Sequence, residues 1–476
     1  MLMKLTKCSQ SGFARQIDRY LNSVWYPICL GALCAFSGLG GSSRYTVCMG
    51  LIAVTVLLTV LFATDLKPLF APMLMSFCAL GKDSQDSYAD QVGDVMLSYN
   101  DAAFAFVIGL GILAVTALLI RFWKDGTLRD IWEKKNACGI SILIMDGAFL
   151  LNGVGSEHWL PIDLAYGALM AFGFTFFYFI CVSIARRGEN VAKYACQCMV
   201  CTALLGILQV AVILHRQDLL LTNMGILTGI DRNVVELGWG ISTSISAYLV
   251  LGIPAAFYLA ANHRYGVISY LFAFVIFGSV VVLGCRGPIL TGGLAMGIGI
   301  VACCFGKNKK ICRKFAIGIL CLLPVALLLI HRYVQPLPQL TEELMKATRL
   351  DSLSKDGRPE LWARGWGNFE GWPLFGVGFE KSAFLEENAL RNVFANMYHN
   401  IGIQFLAAMG AVGGAAFLFH LWQVGCVLRK PTVKKVLLLT LPFMILTMSL
   451  VDNFFFYLNQ QIAYCMFLAV AERKKQ

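Results

Sequence analysis

Charge is scarce in this chain. Asp, Glu, Lys and Arg make up 14% of its 476 residues, against roughly 25% in an ordinary soluble domain, so water is not its main solvent. No segment matches GxxxxGK[ST], which excludes a chain that energises itself with ATP through that loop. No outward-facing pair of carboxylates at DxD spacing and no His/Cys constellation occurs, so neither a metal nor another cofactor is expected. Fixed-period repeats, low-complexity tracts and a soluble domain at either end are also lacking. The first twenty residues have no apolar core followed by a small-residue cleavage site, so the first crossing is expected to stay as an anchor.

What fills the chain instead is apolar sequence, 58% of residues, with a mean hydropathy of +0.68. A bilayer core of about 30 Å takes about 20 residues of helix per crossing. Runs of suitable length lie near 23–40, 45–63, 66–81, 102–120, 137–154, 161–184, 193–214, 238–261, 266–284, 288–305, 313–330, 399–422, 435–452 and 454–471. The expected architecture is an all-α polytopic bundle of about fourteen crossings. It divides into N-terminal transmembrane helices (1–230), core helices with an Arg on the outer face (231–330), an extracytoplasmic loop (331–398) and C-terminal transmembrane helices (399–476).

The net charge of +11 does not point to nucleic acid, because Lys and Arg sit in short clusters between apolar runs rather than on one basic face. Every second connection is basic. Lys4, Lys7, Arg15 and Arg19 precede the first helix; Arg121 to Lys135, Arg186 to Lys193, Arg264, KNKKICRK at 307–314, RKPTVKK at 429–435 and the ERKKQ tail follow on the same side. Basic residues stay cytoplasmic, so the chain is expected in a cell (plasma or inner) membrane with both termini cytoplasmic. The loops at 82–101, 215–237 and 331–398 and the CRGP junction at 285–288 then lie outside. The long loop is too rich in Leu361, Trp362, Trp366, Trp372, Phe375 and Phe379 for a disordered linker, and is expected to form short amphipathic helices on the membrane surface.

The seventeen cysteines suggest a disulfide framework only until they are located. Nearly all lie in apolar runs and none between His331 and Tyr398. Cys196, Cys198 and Cys201 form the one dense cluster; with no His or carboxylate nearby in sequence, helix packing is expected over metal binding.

Four polar positions stand out. Arg286 sits between VVVLGC and Gly287-Pro288, where its planar fork suits phosphate oxygens, although a lipid-headgroup anchor has the same signature. Arg232, in GIDRNVVELGWGISTS, is either a ligand contact or a loop charge neutralised by Asp231. The Ser242, Thr243, Ser244 and Ser246 face after it admits a polar ligand or close helix packing. His399 opens a crossing on the outer side, where an imidazole can take a proton from a hydroxyl or serve structure alone. Asp146 is the one carboxylate near a helix centre, with no evident partner; an ion-coupled role is its functional reading, and a transporter or flippase of an amphipathic substrate is the rival class it motivates.

In combination these features resemble a known family. GRPELWARGWGNFEGWPLFGVGFE at 357–380, His399-Asn400, and a crossing containing GAVGG at 410–414 resemble the O-antigen ligase and polymerase superfamily of membrane glycosyltransferases, over roughly residues 230–415. The resemblance implies transfer of a glycan from a polyprenyl-diphosphate carrier to a glycan or lipid-linked acceptor at the outer face, with membrane lipid around it. It implies that Arg286 and His399 are catalytic, and that Arg232, Arg358, Trp362 and Asn400 bind substrate. Pro373, Gly376 and Gly378 match the family's loop turn.

Overall fold

The computed structural model describes residues 12–40, 42–81, 101–125, 138–216, 235–263, 266–310, 312–318, 358–379 and 397–473. The helices in chain order are α1 (Gly12–Leu21), α2 (Trp25–Gly38), α3 (Ser42–Phe62), α4 (Phe70–Met75), α5 (Asp101–Lys124), α6 (Gly139–Leu150), α7 (Pro161–Arg187), α8 (Val191–Arg216) and α9 (Ser242–Asn262). They continue as α10 (Gly266–Val282), α11 (Arg286–Cys303), α12 (Arg358–Gly371), α13 (Ile401–Val427), α14 (Val433–Met448) and α15 (Leu458–Ala471). A two-residue hairpin, β1 (Glu236–Leu237) with β2 (Gly240–Ile241), leads into α9.

Among the described residues seven helices are long and apolar enough to cross a membrane, or up to eight if the pair α1 and α2, bent by 69°, forms one span. The helices α6 and α15 and residues 268–282 of α10 are apolar but shorter, so length and composition support fewer spans than the fourteen expected. Two expected runs explain part of the difference. The run at 66–81 is broken into Lys67–Leu69, α4 and Ser76–Ala79, the outer two being tight 3₁₀ turns; Pro72 removes a backbone donor that a helix running on from Leu66 would need. Its exposed carbonyls are taken up by neighbours, Ser37 Oγ donating to Ala79 O at 2.9 Å and Gln209 Nε2 to Cys78 O at 2.8 Å. The run at 313–330 lies mostly outside the described residues.

The bundle is organised around α9, of which 94% of the spanning stretch is buried, whereas α5 has 17% buried and faces outward. α8, α10, α11 and α14 pack around α9. At one end of the bundle the basic residues gather and bind carbonyls that helix ends leave unsatisfied. Arg121 donates to Val60 O (2.6 Å) and Ala63 O (2.7 Å), Arg187 to Asp125 O (2.5 Å), and Lys67 pairs with Asp65 at 3.1 Å. The ends of α7, α11, α13 and α15 and the starts of α8 and α14 share this end. The opposite end carries the starts of α9, α11, α13 and α15.

An aromatic cluster fixes the C-terminal half. Phe405 of α13 stacks on Phe417 with centroids 4.4 Å apart and meets Phe455 and Phe456, while Phe174 of α7 stacks on Phe455 at 4.8 Å. Each such pair contributes about 0.5–1.5 kcal/mol beyond its buried area. They clamp the turn between α14 and α15 against the first turns of α13.

Candidate functional site

That clamp determines where His399 sits. The α13 start is stitched to the 449–455 turn by two hydrogen bonds, Ile401 N–H to Ser449 O (2.7 Å) and Asn400 Nδ2 to Leu450 O (3.0 Å), and the turn is itself closed by Phe455 N–H to Ser449 Oγ (2.8 Å). The stitching brings Asp452 to His399, with Oδ1 at 2.9 Å from Nδ1. The same Oδ1 accepts from Asn453 N–H at 2.8 Å, which fixes the carboxylate. A carboxylate accepts and does not donate, so Nδ1 carries the proton and Nε2 is the basic nitrogen. His399 has 31% of its side chain accessible and Asp452 13%, so the imidazole can be reached from solvent while its partner is sheltered. His399 has φ of 51°, a backbone region costly for a non-glycine residue.

Asn400 caps α13. Its Oδ1 accepts from Gly402 N–H (2.9 Å) and Ile403 N–H (3.1 Å), two of the donors a helix start leaves unpaired. Its observed contacts therefore orient the helix that carries His399. Asn400→Ala is expected to lower stability by about 0.5–2 kcal/mol, read as an earlier thermal unfolding midpoint in detergent; an unchanged midpoint would show that the cap is dispensable. Beside it, Tyr398 is buried and accepts from Asn368 Nδ2 at 2.6 Å. Burial pushes its phenol up to about 12, with the Asn368 bond pulling the other way, so it stays protonated at neutral pH.

Arg286 is the first residue of α11, and Cys285 before it supplies no side-chain cap. An uncapped helix start and a guanidinium both favour an anion. A Cβ on Gly287 would lie 3.1 Å from Val451 Cγ2, so the α11 start adjoins the segment that bears Asp452. Cys285 Sγ also approaches Thr243 Oγ1 of α9 at 3.8 Å. In the polar stretch before α9, Gly238 serves close packing, since a Cβ there would lie 2.5 Å from the carbonyls of Leu80 and Gly81. Arg286, His399 and Asp452 thus occupy one end of the bundle, opposite the basic end.

Arg358 opens α12, a helix lying against the start of α13; the rest of the loop, expected as amphipathic helices on the membrane surface, lies mostly outside the described residues. Gly365 is the point of contact, where a Cβ would lie 2.4 Å from Ile403 Cγ2 and 2.9 Å from Tyr398 Cδ1. Arg358 is two turns earlier, roughly 10 Å along the axis. Trp362 holds its Nε1 buried with no partner among the described residues, while its neighbour Leu361 packs on Tyr398 and Ala407. Arg232 lies outside the described residues.

The glycine turn after α12 is a strap that locks into a break in α13. At Gly410 the helix leaves helical geometry, with φ of 63°. Ala411 N–H donates to Pro373 O (2.8 Å) and Val412 N–H to Leu374 O (3.2 Å), and Val377 and Gly378 N–H donate back to Ala407 O (2.9 Å) and Ala408 O (3.1 Å). The break frees the carbonyls and donors that the strap uses. A Cβ on Gly410 would lie 2.4 Å from the Leu374 carbonyl, and one on Gly376 2.4 Å from Ala407 O. Gly410→Ala is expected to cost about 2 kcal/mol or more, from positive-φ strain of order 1–3 kcal/mol and the clash together. Thermal unfolding checks this; an unaltered midpoint would mean that the strap yields.

Asp146 does have a partner. Thr175 Oγ1 on α7 donates to its Oδ2, and Oδ1 is buried without a partner among the described residues. Asp452 is the functional candidate the sequence left undistinguished: 53 positions separate it from His399, and only the α14–α15 turn brings them together. Among the described residues no group of three or more His, Cys, Asp or Glu is arranged to hold a metal ion.

Residues 249–418 match the sequence model of the O-antigen ligase family. The matched stretch runs from within α9 into α13 and includes Arg286, Arg358, Trp362, His399 and Asn400; Arg232 and Asp452 fall outside it. No curated protein matches the chain.

Proposed function

We propose that this protein, whose residues 249–418 match the sequence model of the O-antigen ligase family, transfers a glycan from a polyprenyl-diphosphate carrier to an acceptor hydroxyl at the outer face of a cell membrane, in cell-surface polysaccharide biosynthesis. The observation that carries the reading is the His399–Asp452 pair, 2.9 Å apart, at the same end of the bundle as Arg286. His399 Nε2 takes the acceptor proton while the acceptor oxygen attacks the anomeric carbon. The bond from that carbon to the diphosphate oxygen breaks, and the diphosphate leaves with the electron pair. Asp452 orients the imidazole and stabilises the imidazolium that forms. Arg286, with the uncapped α11 start, stabilises the charge growing on the diphosphate. A single displacement inverts the anomeric configuration.

Arg358 and Trp362 on α12 line the approach to this end and contact donor or acceptor; Arg232 is assigned to the diphosphate by its place before α9. Asn400 acts through the helix cap. No metal takes part in this mechanism, because cationic side chains balance the diphosphate. The basic end faces the cytoplasm, with both termini. The tally of about fourteen crossings belongs to this reading: besides the eight long spans it takes in α6, α10, α14, α15, the broken segment 66–81 and the run at 313–330. The fourfold division at 230, 330 and 398 follows from the same topology.

Ligase and polymerase differ in acceptor, a lipid core sugar or a second carrier-linked glycan. The test reconstitutes the protein in liposomes with a fluorescent polyprenyl-diphosphate-linked glycan and candidate acceptors, and follows translocation and sugar transfer separately. Transfer is expected. Movement of the lipid across the bilayer with no transfer would assign the protein to the flippases.

A further inference from the structure

The basic end holds a feature that the transfer reaction does not use. Between the far half of α11 and the start of α14 lies a groove of about 660 Å³, lined by Gly297, Val301, Phe305, Pro431, Val433 and Val436 among others. This is within the roughly 300–1,000 Å³ of ligand pockets. Thr432 is the one polar residue in its lining, and its hydroxyl already accepts from Lys435 N–H at 3.2 Å in capping α14. The groove begins at Gly293, seven residues into α11 and roughly 10 Å below Arg286, and reaches Phe305, roughly 28 Å below it. In a bilayer core of about 30 Å most of it therefore lies in the leaflet at the basic end.

At its mouth four helix ends bring three lysines and a histidine together. Lys307 follows Phe305, Lys434 follows Val433, Lys193 lies in the first turn of α8, and His263 caps α9. The turn is pinned there by Asn308, whose Nδ2 donates to Ala260 O (2.8 Å) and His263 O (2.6 Å). Burial, then Lys193, Lys434 and Lys307, hold the His263 imidazole down at about 4, and Lys307 acts on Lys434 in turn. Lys307 disfavours the charged form of Lys434, a repulsion that an anion between them would relieve. His263 Nε2 is also buried without a partner among the described residues. Lysines that only set topology have no need to converge beside an apolar groove.

We propose that this corner binds an anionic phospholipid of the leaflet at the basic end, with its phosphate among Lys193, Lys307 and Lys434 and one acyl chain in the groove between α11 and α14. The headgroup answers the cations and the chain fills the apolar gap. A zwitterionic lipid supplies the chain but carries its own cation. The occupant bridges the two helices whose other ends carry Arg286 and lead to Asp452.

The test delipidates the full-length protein in detergent, adds phosphatidylglycerol or phosphatidylcholine, and counts retained lipid by native mass spectrometry. Wild type should retain phosphatidylglycerol at least tenfold over phosphatidylcholine. Lys307→Ala with Lys434→Ala should erase that preference, and Lys307→Arg with Lys434→Arg should keep it. Gly297→Leu should reduce retention of both lipids; a Cβ at Gly297 meets nothing within 4 Å, so this variant is expected to fold and carries the test if the double alanine variant does not. Equal retention of the two lipids by wild type, or a preference indifferent to the lysines and to Gly297→Leu, overturns the proposal. So does displacement of phosphatidylglycerol by polyprenyl phosphate that Gly297→Leu prevents, which would give the groove to an isoprenoid tail.

Discussion

His399→Ala is expected to lower glycan transfer by about 10²–10⁴-fold, the range a positioned general base contributes, with the thermal unfolding midpoint close to wild type. The fold should survive because the stitching of α13 to the 449–455 turn uses Ile401, Asn400 and Ser449 rather than the imidazole. Asp452→Asn should also fall, by at least about tenfold, since an amide can present its N–H to Nδ1 and so select the wrong tautomer. The two residues act as one unit, so the double variant His399→Ala, Asp452→Asn should transfer no worse than His399→Ala alone. Multiplying losses would contradict the pairing. Steady-state transfer rates of the three variants, at saturating donor and acceptor, decide it.

The second large effect is at Arg286. Removing one preorganised group that stabilises developing negative charge costs about 10²–10³-fold in kcat, and Arg286→Ala should fall in that range with a smaller change in donor KM. Arg286→Lys should recover part of the loss, because a point charge remains while the paired N–H donors that match phosphate oxygens are gone. A variant whose donor KM rises while kcat holds would place Arg286 in ground-state binding, as a headgroup anchor, and not in the displacement.

Much of this architecture was legible because membrane helices announce themselves locally: an apolar run bounded by basic residues needs no tertiary information. α7 ends on Arg186 and Arg187 and α5 on Arg121 and Lys124, where the charge pattern puts them. His399 and Asn400 were legible too, as a polar pair opening an apolar run. The run at 66–81 is a different case, because apolar composition does not tell a helix from prolyl turns whose carbonyls are satisfied by Ser37 and Gln209. Nor does sequence announce that GAVGG marks a break in α13: Gly410 leaves helical geometry only because the Pro373–Phe379 strap supplies the hydrogen bonds the helix gives up. Asp452 reads as a helix-end carboxylate until the aromatic clamp places it against an imidazole 53 positions away. Asp146 reads as isolated for the same reason, its partner Thr175 being on another helix.

The proposed reaction is a direct displacement at the anomeric carbon by an acceptor that His399 deprotonates, with arginine rather than metal opposite the diphosphate. The most direct test is the anomeric configuration of the product made by purified protein from a polyprenyl-diphosphate-linked glycan of defined configuration, in EDTA, read by NMR. Full transfer in the chelator and an inverted linkage are expected. A retained linkage, or transfer that stops in EDTA and returns with a divalent cation, would contradict this reaction.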